Sequence, residues 1–547
     1  MIRFTAEATW ESSLLRHLLA FALRLWDDSG IGRLVAALGR LWTRVFEGSF
    51  FGRVWYSTWP SARQAQESYT GWLLTGFGSV VQQFGRRVGP HIKGLWETSL
   101  LAGLYRRFAR SLMPCLRTSH LFLAYTGYAE DVAASPTEAG RRSTSPVVYL
   151  LGAVLGLLPL IPTDFALFGI PVPSPTTLLT IGIWGVAVVW VVRKFMLGDY
   201  GWRASPAFLP LAIFLLVAVA ATVQSVARGA SVQSLVLWLT AGLLFWLIVN
   251  VVRNSRDAAV FLGPIMVGAS LMAVWGVYQY FFPPVIEERW TDPATSGELT
   301  RVFASLGNPN YLAEYMVLFV PLVLALWYQQ PKRRLELTVP LVLMTVALLL
   351  TYTRGGYLAL LIALVILVFM RARRWSVFLF LAALAVPVLA PQSIINRFIS
   401  AFNVADTSNQ YRVNLWIGVL EMIKKFWFVG VGLGAQAFNA VYQDFMLSEA
   451  RAAHAHNLYL QVLGEVGVVG LFAILWAIFA VVRRTVVVGG NSRNAVLIAA
   501  VPAALVGLMF HGLVEHIWYN PKLLFAFWAV AGLGMGLALG DRGDASA

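Results

Sequence analysis

The sequence predicts an all-α polytopic membrane protein of about twelve transmembrane helices, with a long helical loop outside the membrane between the ninth and tenth. Three observations carry that prediction. Apolar runs of 17 or more residues recur along the chain, long enough to cross a hydrocarbon core and too many for one buried core. The 547 residues are 58% hydrophobic with a mean hydropathy of +0.68. Charged residues fall to 13%, where a soluble domain carries about a quarter. The formal charge of +15 therefore needs no nucleic acid, because polytopic proteins concentrate Lys and Arg on the cytoplasmic side.

The first 146 residues hold no span. They carry 17 Lys/Arg against 10 Asp/Glu. A loose repeat recurs at Ser12–Arg16, Ser29–Arg33 and Ser49–Arg53. Apolar residues at helical spacing, as in Leu34, Leu38, Leu41 and Val45, alternate with arginines. Such basic amphipathic helices suit a headgroup layer, or pack on themselves as a cytoplasmic appendage. Glu130–Ser145, rich in Ala, Ser, Thr, Gly and Pro, reads as a linker. No cleavable signal peptide is expected, because Glu7, Glu11 and Arg16 interrupt the start. The single cysteine, Cys115, excludes an internal disulfide and a multi-cysteine metal site.

Twelve spans follow, at 147–163, 175–192, 207–227, 233–251, 258–282, 310–328, 336–352, 355–371, 375–391, 457–482, 494–511 and 520–540. Pro159 and Pro162 break the end of the first. Alternate connections hold Arg193, Lys194, Arg203, Arg253, Arg256, Lys332, Arg333, Arg334, Arg371, Arg373, Arg374, Arg483, Arg484 and Arg493, whereas the opposite connections hold few cations, among them Arg228, Arg354 and Lys522. The positive-inside rule then puts both termini, including the tail 541–547, in the cytoplasm. The connections 283–309, 352–356, 391–456 and 512–519 face outward.

Four outward elements carry chemistry. Arg301 precedes the turn Gly307-Asn308-Pro309-Asn310, where Asn310 can cap the following helix. Arg354-Gly355-Gly356 sets a cation in a tight turn between spans, where charge is costly and marks function by default. An arginine fork also matches phosphate oxygens. Tyr411-Arg412 opens a helix whose apolar face is Val413, Trp416, Val419, Leu420 and Ile423. Arg412 in its first turn favours an anion at that helix end. A loop helix lying on the membrane explains the apolar face but not Arg412. His454-Ala-His456-Asn457 stands at the mouth of the tenth span, and His511 and His516 share that side. Here three readings stay open: metal ligands, a general base, or structural hydrogen bonds.

In order along the chain stand RVFASLGNPNYLAEY (301–315), TYTRGGYLAL (351–360), YRVNLWIGVLEMIKKFWFVGVGLGAQAF (411–438) and HAHNLYLQVLGEVGVVGLF (454–472). Over residues 147–540 this resembles the O-antigen ligase and polymerase family. The resemblance implies a metal-independent glycosyltransferase of the bacterial inner membrane, without cofactor. Its donor is a glycan on undecaprenyl diphosphate, and its acceptor is a hydroxyl on a glycan, lipid or protein. Its site residues would be His456 as base, with Arg412, Arg301 and Arg354 on the diphosphate. His454, Tyr411, Asn310 and Asn457 would line the substrate. The implied chemistry is direct displacement with inversion, with the arginines stabilising charge on the leaving diphosphate. Glu465 lies nine residues beyond His456, about 13 Å along a helix, and reads as structural. Ligase is the first reading; polymerase and protein O-oligosaccharyltransferase are the alternatives within the family. A lipid-linked sugar transporter or flippase is the alternative of another class, and a scaffold built on the basic arm is a third.

Overall fold

The computed structural model describes residues 144–162, 166–167, 170–171, 173–199, 201–283, 301–371, 407–447, 452–488 and 495–540, with short helical pieces between 33 and 103. The amphipathic repeats, most of the linker, the span at 375–391, the loop residues 284–300 and 391–406, and the tail 541–547 lie outside the described residues.

The described chain is helical almost throughout. Helix α1 (Pro146–Leu157) runs into a 3-10 turn at Leu158–Leu160, where Pro159 ends it. A two-residue antiparallel ladder, β1 (Ala166–Leu167) with β2 (Ile170–Pro171), pairs Ala166 with Pro171 and is the one exception to the α class among the described residues. Then come α2 (Pro175–Leu197), α3 (Phe208–Gln224), α4 (Arg228–Val251), α5 (Ser255–Phe281), α6 (Pro309–Gln329), α7 (Arg334–Leu350) and α8 (Arg354–Arg371). The long loop contributes α9 (Thr407–Phe426) and α10 (Ala435–Tyr442). Three spans close the chain: α11 (Leu458–Val488), α12 (Ala495–His511) and α13 (Pro521–Gly540).

Each expected span that falls on described residues has a helix within a few residues of it. Seven are long and apolar enough to cross a membrane: α2, α4, α5, α6, α8, α11 and α13. Helices α1, α3 and α12 are shorter apolar helices, and α7 has 17 residues. At about 1.5 Å per residue such helices fall short of a full hydrocarbon core. They are held by long neighbours: α3 packs on α11, α7 on α5 and α6, and α12 on α6 and α8.

Packing between spans relies on close backbone approach. The backbones of α1 and α5 meet at Gly156 and Gly268: a Cβ on Gly268 would sit 1.9 Å from the Gly156 carbonyl oxygen. Small residues at such crossings let dispersion contacts hold helices together where lipid removes the hydrophobic drive. Helices α4 and α13 join through an aromatic core in which Trp528 meets Phe245 edge-on at 5.6 Å.

The two ends of the bundle differ. At one end Arg203 Nη1 donates to the carbonyls of Val249, Val252 and Gly536, where α4 ends and α13 nears its end. At the other, backbone and side chains tie the connections together. Val302 N donates to Leu350 O, and Leu458 N to Gly512 O at 2.7 Å. Lys522 Nζ donates to the carbonyls of Pro159, Ile161 and Ser305 at 2.9 to 3.0 Å. A cation on this end is thus absorbed by carbonyls.

Gly268→Ala should force α1 and α5 apart, at a cost of about 1–3 kcal/mol by overpacking. Thermal unfolding of the purified protein in detergent measures this, and an unchanged midpoint would contradict the backbone contact.

Candidate functional site

The site forms where α6, α8, α11 and α12 end together. Its centre is Glu515, in the connection between α12 and α13, with a side chain only 2% exposed. Glu515 Oε1 lies 2.9 Å from His456 Nδ1 and accepts from the His516 amide at 3.0 Å. Oε2 accepts from Asn310 Nδ2 at 2.7 Å. A carboxylate can only accept, so His456 Nδ1 carries the proton, and in the neutral imidazole Nε2 is then the acceptor. The His456 side chain is 27% exposed.

Backbone geometry aims that ring. His456 has φ +43°, a left-handed conformation disfavoured for a side-chain-bearing residue. Ala455 on one side donates its amide to Gln461 Oε1, and Gln461 Nε2 in turn donates to Glu465 Oε1 at 2.6 Å. Glu465 therefore supports the loop through Gln461. On the other side Asn457 caps α11, its Oδ1 accepting from the amides of Tyr459 and Leu460 while Nδ2 donates to Leu513 O. Ala304 and Tyr352, also at positive φ, lie in the two turns beside Arg301.

Asn310 links this centre to the first arginine. Its Oδ1 accepts from Arg301 Nη2 and Thr353 Oγ1, both at 3.2 Å. Arg301 Nε donates to Thr351 O at 2.9 Å. The N-cap of α6 is Asn308, whose side chain accepts from the Asn310 amide. The expectation that Asn310 caps this helix is corrected: with Pro309 opening the helix, Asn308 is the residue just outside, and Asn310 faces the site. Gln279 Oε1 accepts from the amides of Phe303 and Ala304 and fixes the Arg301 turn on α5.

Arg354 opens α8 directly after Thr353. A Cβ on the next residue, Gly355, would lie 2.4 Å from His511 Cδ2, so the Arg-Gly-Gly turn needs glycine to admit that imidazole. His511 Nδ1 stands 3.4 Å from Glu314 Oε1, both side chains buried. Neither the Glu314 carboxyl oxygens nor His511 Nδ1 makes a hydrogen bond among the described residues.

Arg412 lies in α9, which begins at Thr407. The expectation that Arg412 occupies the first turn is therefore corrected: the helix already covers the five described residues before it, and a favourable helix-end anion site at Arg412 does not follow. The apolar face expected there divides in two. Leu415, Val419, Met422 and Ile423 are buried, and Val413, Ile417 and Leu420 are exposed. Tyr411 meets His456 edge-on at 6.2 Å between ring centroids.

Burial pushes the Glu515 carboxyl up. The charge and hydrogen bond of His456, then the charges of His454 and Arg412, outweigh it and hold Glu515 well below the usual carboxylate range. Arg412 thus acts on this centre electrostatically. His454 accepts from the His456 amide at Nδ1, 3.2 Å away. Ligand atoms of His454, His456 and Glu515 lie within 4.8 Å of one another, a spacing that can hold a metal ion. The hydrogen bond between His456 and Glu515 accounts for the closest of these distances.

The geometry brings together His456, His454, Tyr411, Asn310 and Arg301 around Glu515, with Arg412 within electrostatic reach and Arg354 one residue from Thr353. Asn457 has both ends of its amide in capping and tethering bonds. Sequence reasoning missed Glu515, Thr353 and Glu314. The signal for Glu515 was available: it is an acid beside His516 in a short connection on the same end as the His454-Ala-His456 loop.

Residues 339–475 match the family model described as O-antigen ligase. The matched stretch contains Arg354, Arg412, His454 and His456; Arg301, Asn310 and Glu515 fall outside it. No curated protein matches the chain.

Burial, above all, pushes the His454 imidazole down to about 4 from 6.5, with the pull of Glu515 opposing and the charges of His456 and Arg412 adding to the fall. The unfolded chain protonates His454 near 6.5 and the folded one only near 4, so stability is lost as pH drops through that window. The thermal midpoint should fall over the same range, and His454→Gln should make the fall shallower. An identical slope in the variant would contradict a buried neutral His454.

Proposed function

We propose that this chain is a glycosyltransferase, because residues 339–475 match the O-antigen ligase model, a family of membrane glycan-transferring ligases and polymerases. It moves a glycan from undecaprenyl diphosphate to an acceptor hydroxyl at the outer face of the cytoplasmic membrane. The observation that carries this reading is the His456–Glu515 pair. Glu515 holds the Nδ1 proton at 2.9 Å, so Nε2 is left as the acceptor of a ring that is 27% exposed. That is the arrangement of a general base whose tautomer is set by a buried carboxylate.

In this reading the acceptor hydroxyl donates its proton to His456 Nε2 while its oxygen attacks the anomeric carbon. The bond to the diphosphate oxygen breaks on the opposite face, so configuration inverts. Glu515 stabilises the imidazolium that forms. The diphosphate leaves as an anion, and Arg412, Arg354 and Arg301 supply the positive field for it. Arg301 Nε and Nη2 already bond to protein, which holds the guanidinium rigidly for that role. Both termini lie in the cytoplasm in this orientation, which rests on the cation-rich connections at the opposite end of the bundle.

His456→Ala and Arg412→Ala should each lower glycan transfer more than about tenfold, and Glu515→Gln should do the same by releasing the tautomer. Transfer by purified protein in detergent, from a lipid-diphosphate glycan to defined acceptors, measures this. Near-normal turnover by the Glu515 variant would remove the dyad. Activity lost to chelator and restored by zinc would assign His454, His456 and Glu515 to a metal instead. Failure to consume donor without a membrane gradient would favour a lipid-linked sugar transporter, and the product formed separates ligase from polymerase and from protein glycosylation.

A further inference from the structure

The long loop is clipped into a broken helix. Within α11, Gly467 has φ +71° and ψ −177°, which interrupts the helical hydrogen bonding. The backbone after α9 fills the break: Val431 N donates to Gly464 O at 2.8 Å and Gly432 N to Glu465 O at 3.1 Å, while Val468 N donates to Trp427 O at 2.9 Å. Gly430, Gly432 and Gly434 all have positive φ, so the loop turns sharply as it docks. A Cβ on Gly467 would sit 2.0 Å from Phe428 O. Glycine is required on both sides of this contact.

The clip fixes a depth. Residues 468–482, between this clip and the cytoplasmic Arg483, rise about 22 Å at about 1.5 Å per residue, most of a hydrocarbon core. Val468 then lies in the outer leaflet near its rim, and Trp427, bonded to it, stands at the same level. At this level Trp427, Phe428 and Val429 are 55%, 55% and 41% exposed. Three consecutive large apolar residues facing out would be an oddity in water. Val468, Val469 and Phe472 on α11 continue the exposed apolar surface. Along α9, the exposed Val413, Ile417 and Leu420 follow a spacing of four and three residues, one face of a helix. Lys424 and Lys425, both exposed, stand between this stripe and the tip.

We propose that α9 and its tip form a wedge set into the outer leaflet at the site end. Val413, Ile417, Leu420 and Trp427–Val429 enter the acyl boundary, and Lys424 and Lys425 meet lipid phosphates. Tryptophan at the tip fits the interfacial level, and the lysines fit an anionic headgroup layer. The wedge anchors the helix that carries Arg412 at the height where a lipid-borne phosphate lies. This follows from exposure and backbone register and does not require the catalytic reading.

The single cysteine makes the test clean. In a Cys115→Ser background, Phe428→Cys is labelled with an environment-sensitive fluorophore, and the full chain is reconstituted in vesicles of phosphatidylcholine and phosphatidylglycerol. The label at 428 should lose most of its emission to lipids brominated in the acyl chain and resist aqueous iodide. Gln443→Cys, on the exposed turn after α10, should show the reverse. Leu420→Cys gives a second reading should the tip variant fold poorly. Quenching of 428 and 420 by iodide, with no effect of brominated chains, would overturn the wedge. Loss of transfer with the quenching pattern intact would instead count against the proposed reaction alone.

Discussion

A buried carboxylate, Glu515, is the constraint around which this end of the molecule is built. At 2% exposure an ionised carboxyl must have its oxygens occupied. It meets that demand with an imidazole N–H, a carboxamide N–H and a backbone N–H, from three separate parts of the chain. Removing any donor leaves charge uncompensated in a low-dielectric setting, so the donors hold one another in place. The left-handed backbone at His456 and the backbone bond from Leu458 to Gly512 are local conformations that this shared demand stabilises.

Asn310 extends the same logic outward. One amide accepts from Arg301 and Thr353 while donating to Glu515. Arg301 and the imidazole are thereby placed in fixed register on different parts of the chain, the rigidity that the proposed stabilisation of charge would use. One turn inward along α6 and α12, Glu314 and His511 pair, and His511 fills the space that Gly355 leaves open. The Arg-Gly-Gly turn thus has a packing reason as well as a charge.

Short helices and broken helices also become intelligible together. Helix α11 sacrifices its regularity at Gly467, and loop backbone restores the hydrogen bonds that the break would orphan. The same exchange attaches the long loop to a membrane-crossing element. Lys522 does comparable work for the end of α1 by satisfying the carbonyls of Pro159 and Ile161.

Apolar run length and the spacing of cations made the helical membrane class, and the helices from α1 to α13 on the bundle, legible in the sequence, because lipid imposes its demand residue by residue along each span. His456, Arg412 and Arg301 stood out as candidates because a charged or imidazole group beside an apolar run is conspicuous locally. The run of α9 before Arg412 and the N-cap at Asn308 were not legible, since hydrophobic periodicity marks a helix's face more sharply than its first turn. Nor was the role of Glu515, which lies 59 residues from His456 and 205 from Asn310. A hydrogen bond between such residues depends on how whole helices pack, and no one-dimensional pattern encodes it. Composition and order determined what kind of molecule this is and which ionisable groups stand out along it. The packing of α6 against α12, and of α11 beside them, decided which carboxylate holds which imidazole.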